Sequence, residues 1–140
     1  MAELPIGYWV KRVDELITVH LAEALAVHRL DRFRWQLLNT LSRDGAAAPD
    51  ALAERLSAFV AADDVRTMVD DLAARGWVVA DADGLLSLTA AGAAAHRDVL
   101  VDVDATRRRS TEGIDGQEYA TAVATLRRIA ANLGHREPGA

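Results

Sequence analysis

Between residues 61 and 88 the apolar residues change their period within a few positions, and that change leaves few folds open. Val65, Met68, Val69 and Leu72 stand at i, i+3, i+4 and i+7, the spacing of one helix face. Gly76 stops this helix, and two short strand-like runs, 77–80 and 85–88, follow around "DADG", whose Asp-Gly pair is a hairpin turn signal. Two more helices lead into it. Asp31 can cap the stretch after it, with Trp35, Leu38 and Leu41 as the buried stripe and Gly45 as the stop, and Pro49 suits the first turn of "PDALAERLS". Three short helices followed by a hairpin predict a winged helix-turn-helix.

Longer helices flank this lobe. Ile6, Trp9, Val10, Val13, Leu16, Ile17, Leu21, Ala24 and Leu25 recur at three- and four-residue steps after Pro5. Thr89 can cap a helix over 90–110, which Gly113 and Gly116 break. A last helix then carries Tyr119, Val123, Leu126, Ile129 and Leu133 on one face, and the tail 135–140 is expected to fray. The expected class is mainly α with a small β-hairpin wing. One domain spans 1–140, with the winged helix-turn-helix at 31–88 and dimerisation helices in 1–30 and 89–140. Each flanking helix has an apolar stripe, and leaving large side chains exposed forgoes about 1.5 to 3 kcal/mol apiece, so a homodimer is predicted.

Composition removes several function classes. The chain has 140 residues, half of them apolar and about a quarter charged, as expected of a folded protein. It has no cysteine, so disulfides, thiolate metal sites and a cysteine nucleophile are excluded. No basic leader precedes an apolar run, and no stretch approaches about 18 apolar residues, which predicts a soluble, cytoplasmic protein without a membrane partner. His20, His28, His96 and His135 are scattered without metal-site spacing, so no metal or cofactor is expected. His20 lies on the apolar stripe and reads as a hydrogen-bonded core histidine; His28 and His135 read as surface. The tryptophans Trp9, Trp35 and Trp77 read as packing residues. Arg107, Arg108 and Arg109 fit a solvated helix face or partners for Asp102 and Asp104. No glycine-rich phosphate loop, nucleophile elbow or paired-carboxylate motif points to an enzyme.

Four motifs in order, "RFRWQLLNTL", "LAERLS", "VRTMVDDLAARGWV" and "LSLTAAG", give the chain a resemblance to the MarR family of dimeric winged-helix transcription regulators, over roughly residues 6 to 133. The resemblance implies a ligand-responsive, DNA-binding regulator, a repressor by this reading. Its homodimer would bind a pseudo-palindromic operator in double-stranded DNA, the fourth helix in the major groove and the wing in the minor groove. Mapped onto this chain, the groove-facing positions are Asp63, Asp64, Arg66 and Thr67, with Arg32, Arg34 and Arg55 available to the phosphate backbone. Family members often hold a small aromatic or lipophilic ligand in a cleft between the dimer helices and the winged lobe. Trp9, His20, Trp35 and His96 lie on elements that line it.

The chain departs from that pattern in charge. Family members usually carry small hydroxyl residues where Asp63 and Asp64 stand, and an arginine in a longer wing where Asp81 and Asp83 stand here. Residues 31–88 hold six arginines against ten acids. Affinity for duplex DNA rests largely on neutralising phosphates, so the electrostatic contribution is poor. Asp63 and Asp64 complement the helix dipole in a first turn, or accept from a cytosine amino group. Asp70 and Asp71 are expected to face solvent. A second reading therefore stands beside the repressor: a winged-helix protein that has lost DNA binding and serves as a small-molecule or protein-interaction module.

Overall fold

A computed structural model describes residues 2–58 and 60–137. The chain runs α1 Ile6–Ala26, α2 Arg32–Asp44, α3 Pro49–Leu56, α4 Ala62–Ala74, β1 Val78–Ala80, β2 Leu86–Leu88, α5 Ala90–Ser110 and α6 Gly116–Asn132. It divides into two compact units, 1–106 and 107–140.

In the first unit the expected stops and starts hold. The Asp31 carboxylate accepts from the Arg34 amide at 2.8 Å and caps α2, while Gly45 beyond its end has φ +81°. Pro49 opens α3. After α4, Gly76 takes φ +78° and turns the chain into the hairpin. β1 and β2 pair antiparallel, Val78 opposite Leu88 and Ala80 opposite Leu86. The hairpin loop is three residues long, 82–84, because the Asp81 amide donates to the Leu85 carbonyl and the Gly84 amide to the Asp81 carbonyl. Gly84, at φ +82°, fills the left-handed position that such a loop demands. One pairing has no sequence signal: Ala47 exchanges two backbone hydrogen bonds with Leu86, at 2.8 and 2.9 Å, and so lengthens the wing's sheet by a single residue.

The core gathers apolar residues from α1 to α5 and from both strands. Leu37 and Leu38 of α2, Leu52 of α3, Leu72 of α4 and Val99 of α5 are fully enclosed, with Leu25 at the end of α1. Each contributes about 1.5 to 3 kcal/mol by burial. Trp35 and Val65 join them. The winged lobe thus closes on Leu25 and Leu30 before it and on Val99 and Val103 after it. Most of α1 is different: Leu25 is its one fully buried residue, and Trp9, Val10, Val13 and Ile17 are exposed on this chain.

The corner between wing and α5 is tight. Thr89 donates its hydroxyl to the Gly76 carbonyl and its amide to the Trp77 carbonyl, and its hydroxyl oxygen accepts from the Gly92 amide at 3.0 Å. Thr89 therefore caps α5 as expected. Gly92 packs so closely that a β-carbon there would lie 2.0 Å from the Trp77 carbonyl oxygen.

In the second unit, Arg108 and Arg109 stand exposed in the last turn of α5, where cations complement the carbonyl end of a helix. Gly113 turns the chain at φ +76°. Gly116 does not act as a breaker. It is the first residue of α6, because Asp115 and Glu118 form a reciprocal capping box around it. The expected fraying is corrected in part: Glu137 accepts two hydrogen bonds from Arg127, at 2.6 and 2.8 Å, and residues 138–140 of the tail lie outside the described residues. Tyr119, Val123, Leu126 and Ile129 of α6, and Leu133 just past its end, are all exposed on this chain.

Candidate nucleic-acid interface

Helix α4 turns Val65, Met68 and Leu72 into the core, so its other side faces out. On that side Asp63, Asp64, Arg66 and Thr67 are exposed together over the first two turns. Ala61 offers α4 no side-chain cap, and Asp63 and Asp64 lie in the first turn, where carboxylates stabilise a helix N-terminus. The Thr67 hydroxyl donates back to the Asp63 carbonyl at 3.2 Å. Arg66 has no hydrogen bond or ion pair among the described residues, which leaves its guanidinium available to an outside partner.

The other arginines of the lobe are mostly committed within the chain. Arg34 holds Asp31 at 2.5 Å and Asp71 at 3.0 Å. Burial alone would lower the Arg34 pKa, but Asp31 and Asp71 outweigh it and hold the guanidinium charged. Asp71 also takes a 3.0 Å hydrogen bond from Arg75, so it is a bridging acid and not the free solvated carboxylate expected. Arg43 and Arg55 both bond Asp44, at 3.1 and 2.9 Å. The hydrogen bond from Arg43, followed by the charges of Arg43 and Arg55, holds that carboxyl below the usual carboxylate range. Arg32, like Arg66, is exposed and has no such partner among the described residues. Of the residues expected on the DNA, Arg32 and Arg66 therefore present free cations, while Arg34 and Arg55 present neutralised ones.

The wing adds no base. The Asp81 carboxylate accepts from the amides of Asp83 and Leu85, both at 2.9 Å, and so builds the turn that carries it. Asp83 remains exposed at the tip.

Residues expected at a ligand cleft fall into two groups. Trp35 and His96 are brought together, stacked 5.2 Å apart in the core. His96 Nε2 lies 3.0 Å from Asn39 Oδ1, and Nδ1 lies 3.2 Å from Ser42 Oγ. With Asn39 accepting, Nε2 carries the proton and Nδ1 accepts from the Ser42 hydroxyl. A serine, a base and an orienting group stand in line here, but Ser42 sits near the carbonyl end of α2, where the dipole opposes a developing oxyanion. The cluster ties α2 to α5. Trp9 and His20 stay on the outer face of α1: Trp9 is 51% exposed, and His20 pairs with Glu23 at 3.6 Å and is not a core histidine of this chain. A recess of about 290 Å³ opens between the N-terminal ends of α2 and α4, with Phe33, Arg34, Asp64, Thr67 and Met68 in its wall and none of those four residues.

His28 is likewise not a plain surface residue, since its Nε2 lies 2.6 Å from Asp102 Oδ2 of α5.

Burial, then the charge of Arg97, holds the His96 imidazole below its ordinary pKa. The folded chain therefore prefers neutral His96. Its contribution to stability is complete above the unfolded value of about 6.5 and is lost as pH falls from there through the folded value. Urea midpoints should decline between pH 7.5 and 5.5 more steeply in the parent than in His96→Gln. Equal slopes would show that His96 carries no such linkage.

Three short helices, a two-stranded wing and an outward-facing α4 define a winged helix-turn-helix protein. More particularly, the fold is that of the MarR regulators, in agreement with the four sequence motifs. Reduced MarR from Escherichia coli superposes with a TM-score of 0.72 at 23% identity, over 91% of this chain and 95% of that one. A MarR family protein of Mycobacterium tuberculosis, solved in complex with DNA, matches with a TM-score of 0.72 at 22% identity, over 95% of this chain and 100% of its own. A Listeria innocua protein of unknown function matches with a TM-score of 0.76 at 19% identity, over 91% of each chain. No family model matches the sequence, and no curated protein matches it. Among the described residues, no helix is long and apolar enough to cross a membrane.

Proposed function

We propose that this chain is a DNA-binding transcription regulator of the MarR type, a homodimeric repressor that reads a pseudo-palindromic operator and releases it when a small aromatic or lipophilic ligand binds. The observation that carries the reading is the outer face of α4. Among the described residues it presents Arg66 unpaired beside Thr67, with Arg32 unpaired at the start of α2, on a fold whose Mycobacterium tuberculosis counterpart was solved with DNA. Support for the dimer comes from the apolar faces of α1 and α6, each exposed on this chain. A second copy covering Val10, Ile17, Val123, Leu126 and Ile129 would recover several kcal/mol at about 1.5 to 3 kcal/mol per fully buried side chain.

The lobe's own ion pairs set the expected electrostatics. With Arg32 and Arg66 as the free cations among the described residues of the lobe, a dimer neutralises two to four phosphates, and log affinity should fall against log salt with a slope of roughly −2 to −4. That is shallow for an operator-binding protein, so specificity has to come from base contacts and shape. Mobility-shift titration on duplex from the region upstream of the protein's own gene tests this. Two chains should bind per duplex, tighter than on random DNA and with that slope. Equal affinity for both duplexes at low salt would instead favour the interaction-module reading, which the acidic balance of the lobe supports.

A further inference from the structure

Asp71 sits at the hub of a chain of contacts that includes neither Arg32 nor Arg66, the unpaired arginines of the lobe among the described residues. Its Oδ2 accepts from Arg34 Nε and from Arg75 Nη2, each at 3.0 Å. Arg34 is anchored in turn to Asp31, the cap of α2. Arg75 reaches the other way. Its Nη2 donates to the Arg29 carbonyl at 2.7 Å and its Nη1 to the His28 carbonyl at 3.4 Å, and its guanidinium lies 5.2 Å from the centre of the Trp77 ring. Those two carbonyls belong to the chain reversal between α1 and α2, where Arg29 holds a left-handed backbone at φ +58°. His28 is itself pinned to Asp102 of α5. One carboxylate therefore fixes the later turns of α4 to the start of α2, and through Arg75 to the α1–α2 junction.

We propose that Asp71 is a positioning residue for α4: it spends a negative charge, unfavourable beside DNA, to set the angle at which the reading helix leaves the lobe. The proposal rests on the reading that α4 contacts DNA. Three physical roles for Asp71 predict three different results. As a mere charge in an acidic lobe, its removal strengthens binding to every duplex, because repulsion is lost. As a mere stabiliser of the fold, its removal weakens binding to every duplex alike. As a positioning residue, its removal weakens the operator complex, whose base contacts depend on helix angle, while random duplex, held by phosphate attraction, is bound as well or better.

The experiment compares Asp71→Asn with Asp70→Asn, its exposed neighbour on the same helix, by fluorescence anisotropy on operator and random duplexes at one salt concentration. Asp70→Asn should tighten both complexes by a few-fold. Asp71→Asn should lose about tenfold on operator while holding or gaining on random DNA. Tightening on both duplexes, or equal loss on both, overturns the proposal. Hydrogen exchange of the full chain without DNA provides a second arm. The amides of His28, Arg29 and Leu30, which bond back to the end of α1, should exchange faster in Asp71→Asn than in Asp70→Asn. Failure of the parent to prefer operator would fault the DNA reading. Unchanged junction exchange would fault the positioning role by itself.

Discussion

Replacing Gly92 with alanine is expected to be the most destabilising glycine-to-alanine change among the described residues. The new β-carbon would lie 2.0 Å from the Trp77 carbonyl oxygen and 2.8 Å from its carbonyl carbon, and neither is the flexible end of a side chain. That oxygen also accepts from the Thr89 amide, so moving it disturbs the corner joining β2 to α5. Alanine within a helix is worth close to 1 kcal/mol over glycine, which partly offsets the clash. Overpacking of this kind costs about 1 to 3 kcal/mol, at the upper end or beyond when backbone must move as here, so a net loss of about 2 kcal/mol is expected. For a chain of this size that lowers the thermal midpoint by roughly 6 to 12 °C. Gly7→Ala is the control, since a β-carbon there meets nothing within 4 Å and α1 gains helix propensity. A midpoint for Gly92→Ala within a degree or two of the parent would mean that this corner yields without cost.

The elements were legible because their punctuation is local. Asp31, Gly45, Pro49 and Gly76 each act on the backbone within a few residues, and the structure uses each where the sequence placed it. Reading Gly116 as a breaker came from the same kind of local signal taken too narrowly, since it opens α6. Glycine at 116 weighs against a helix, but Asp115 and Glu118 three positions apart form a capping box that outweighs it, and that spacing was in the sequence. The interface was legible only in part. Asp71 and Arg75 at i, i+4 could have been paired from sequence, whereas Arg34 with Asp71, Arg55 with Asp44 and His28 with Asp102 are separated by 37, 11 and 74 residues. A count of charges therefore showed an acidic lobe but not which cations were already spent. Ala47 opposite Leu86 is likewise a long-range pairing of a single residue, below the length at which alternation gives a signal.

Arg66→Ala should then have the largest effect on DNA binding of any single exposed residue. Arg66 is unpaired among the described residues and is the one base in the first two turns of α4. It has no internal carboxylate to satisfy, unlike Arg34 and Arg55. A bidentate guanine contact is worth about 1 to 3 kcal/mol, and a symmetric dimer makes it twice, so the variant should bind operator at least about 30-fold more weakly. If the contact is to a base, preference at one symmetric position of the operator relaxes; if it is to phosphate, affinity drops on all sequences and the salt slope becomes shallower by about 2 per dimer. Asp63→Asn and Asp64→Asn supply the opposite sign, since each removes a repelling charge from the same turns and should tighten binding to random duplex. Fold loss cannot imitate this pattern, because these side chains are all exposed and none enters the core. Should Arg66→Ala and both asparagine variants leave operator affinity unchanged, α4 does not enter a groove, and the acidic face of the lobe is a surface for some partner other than DNA.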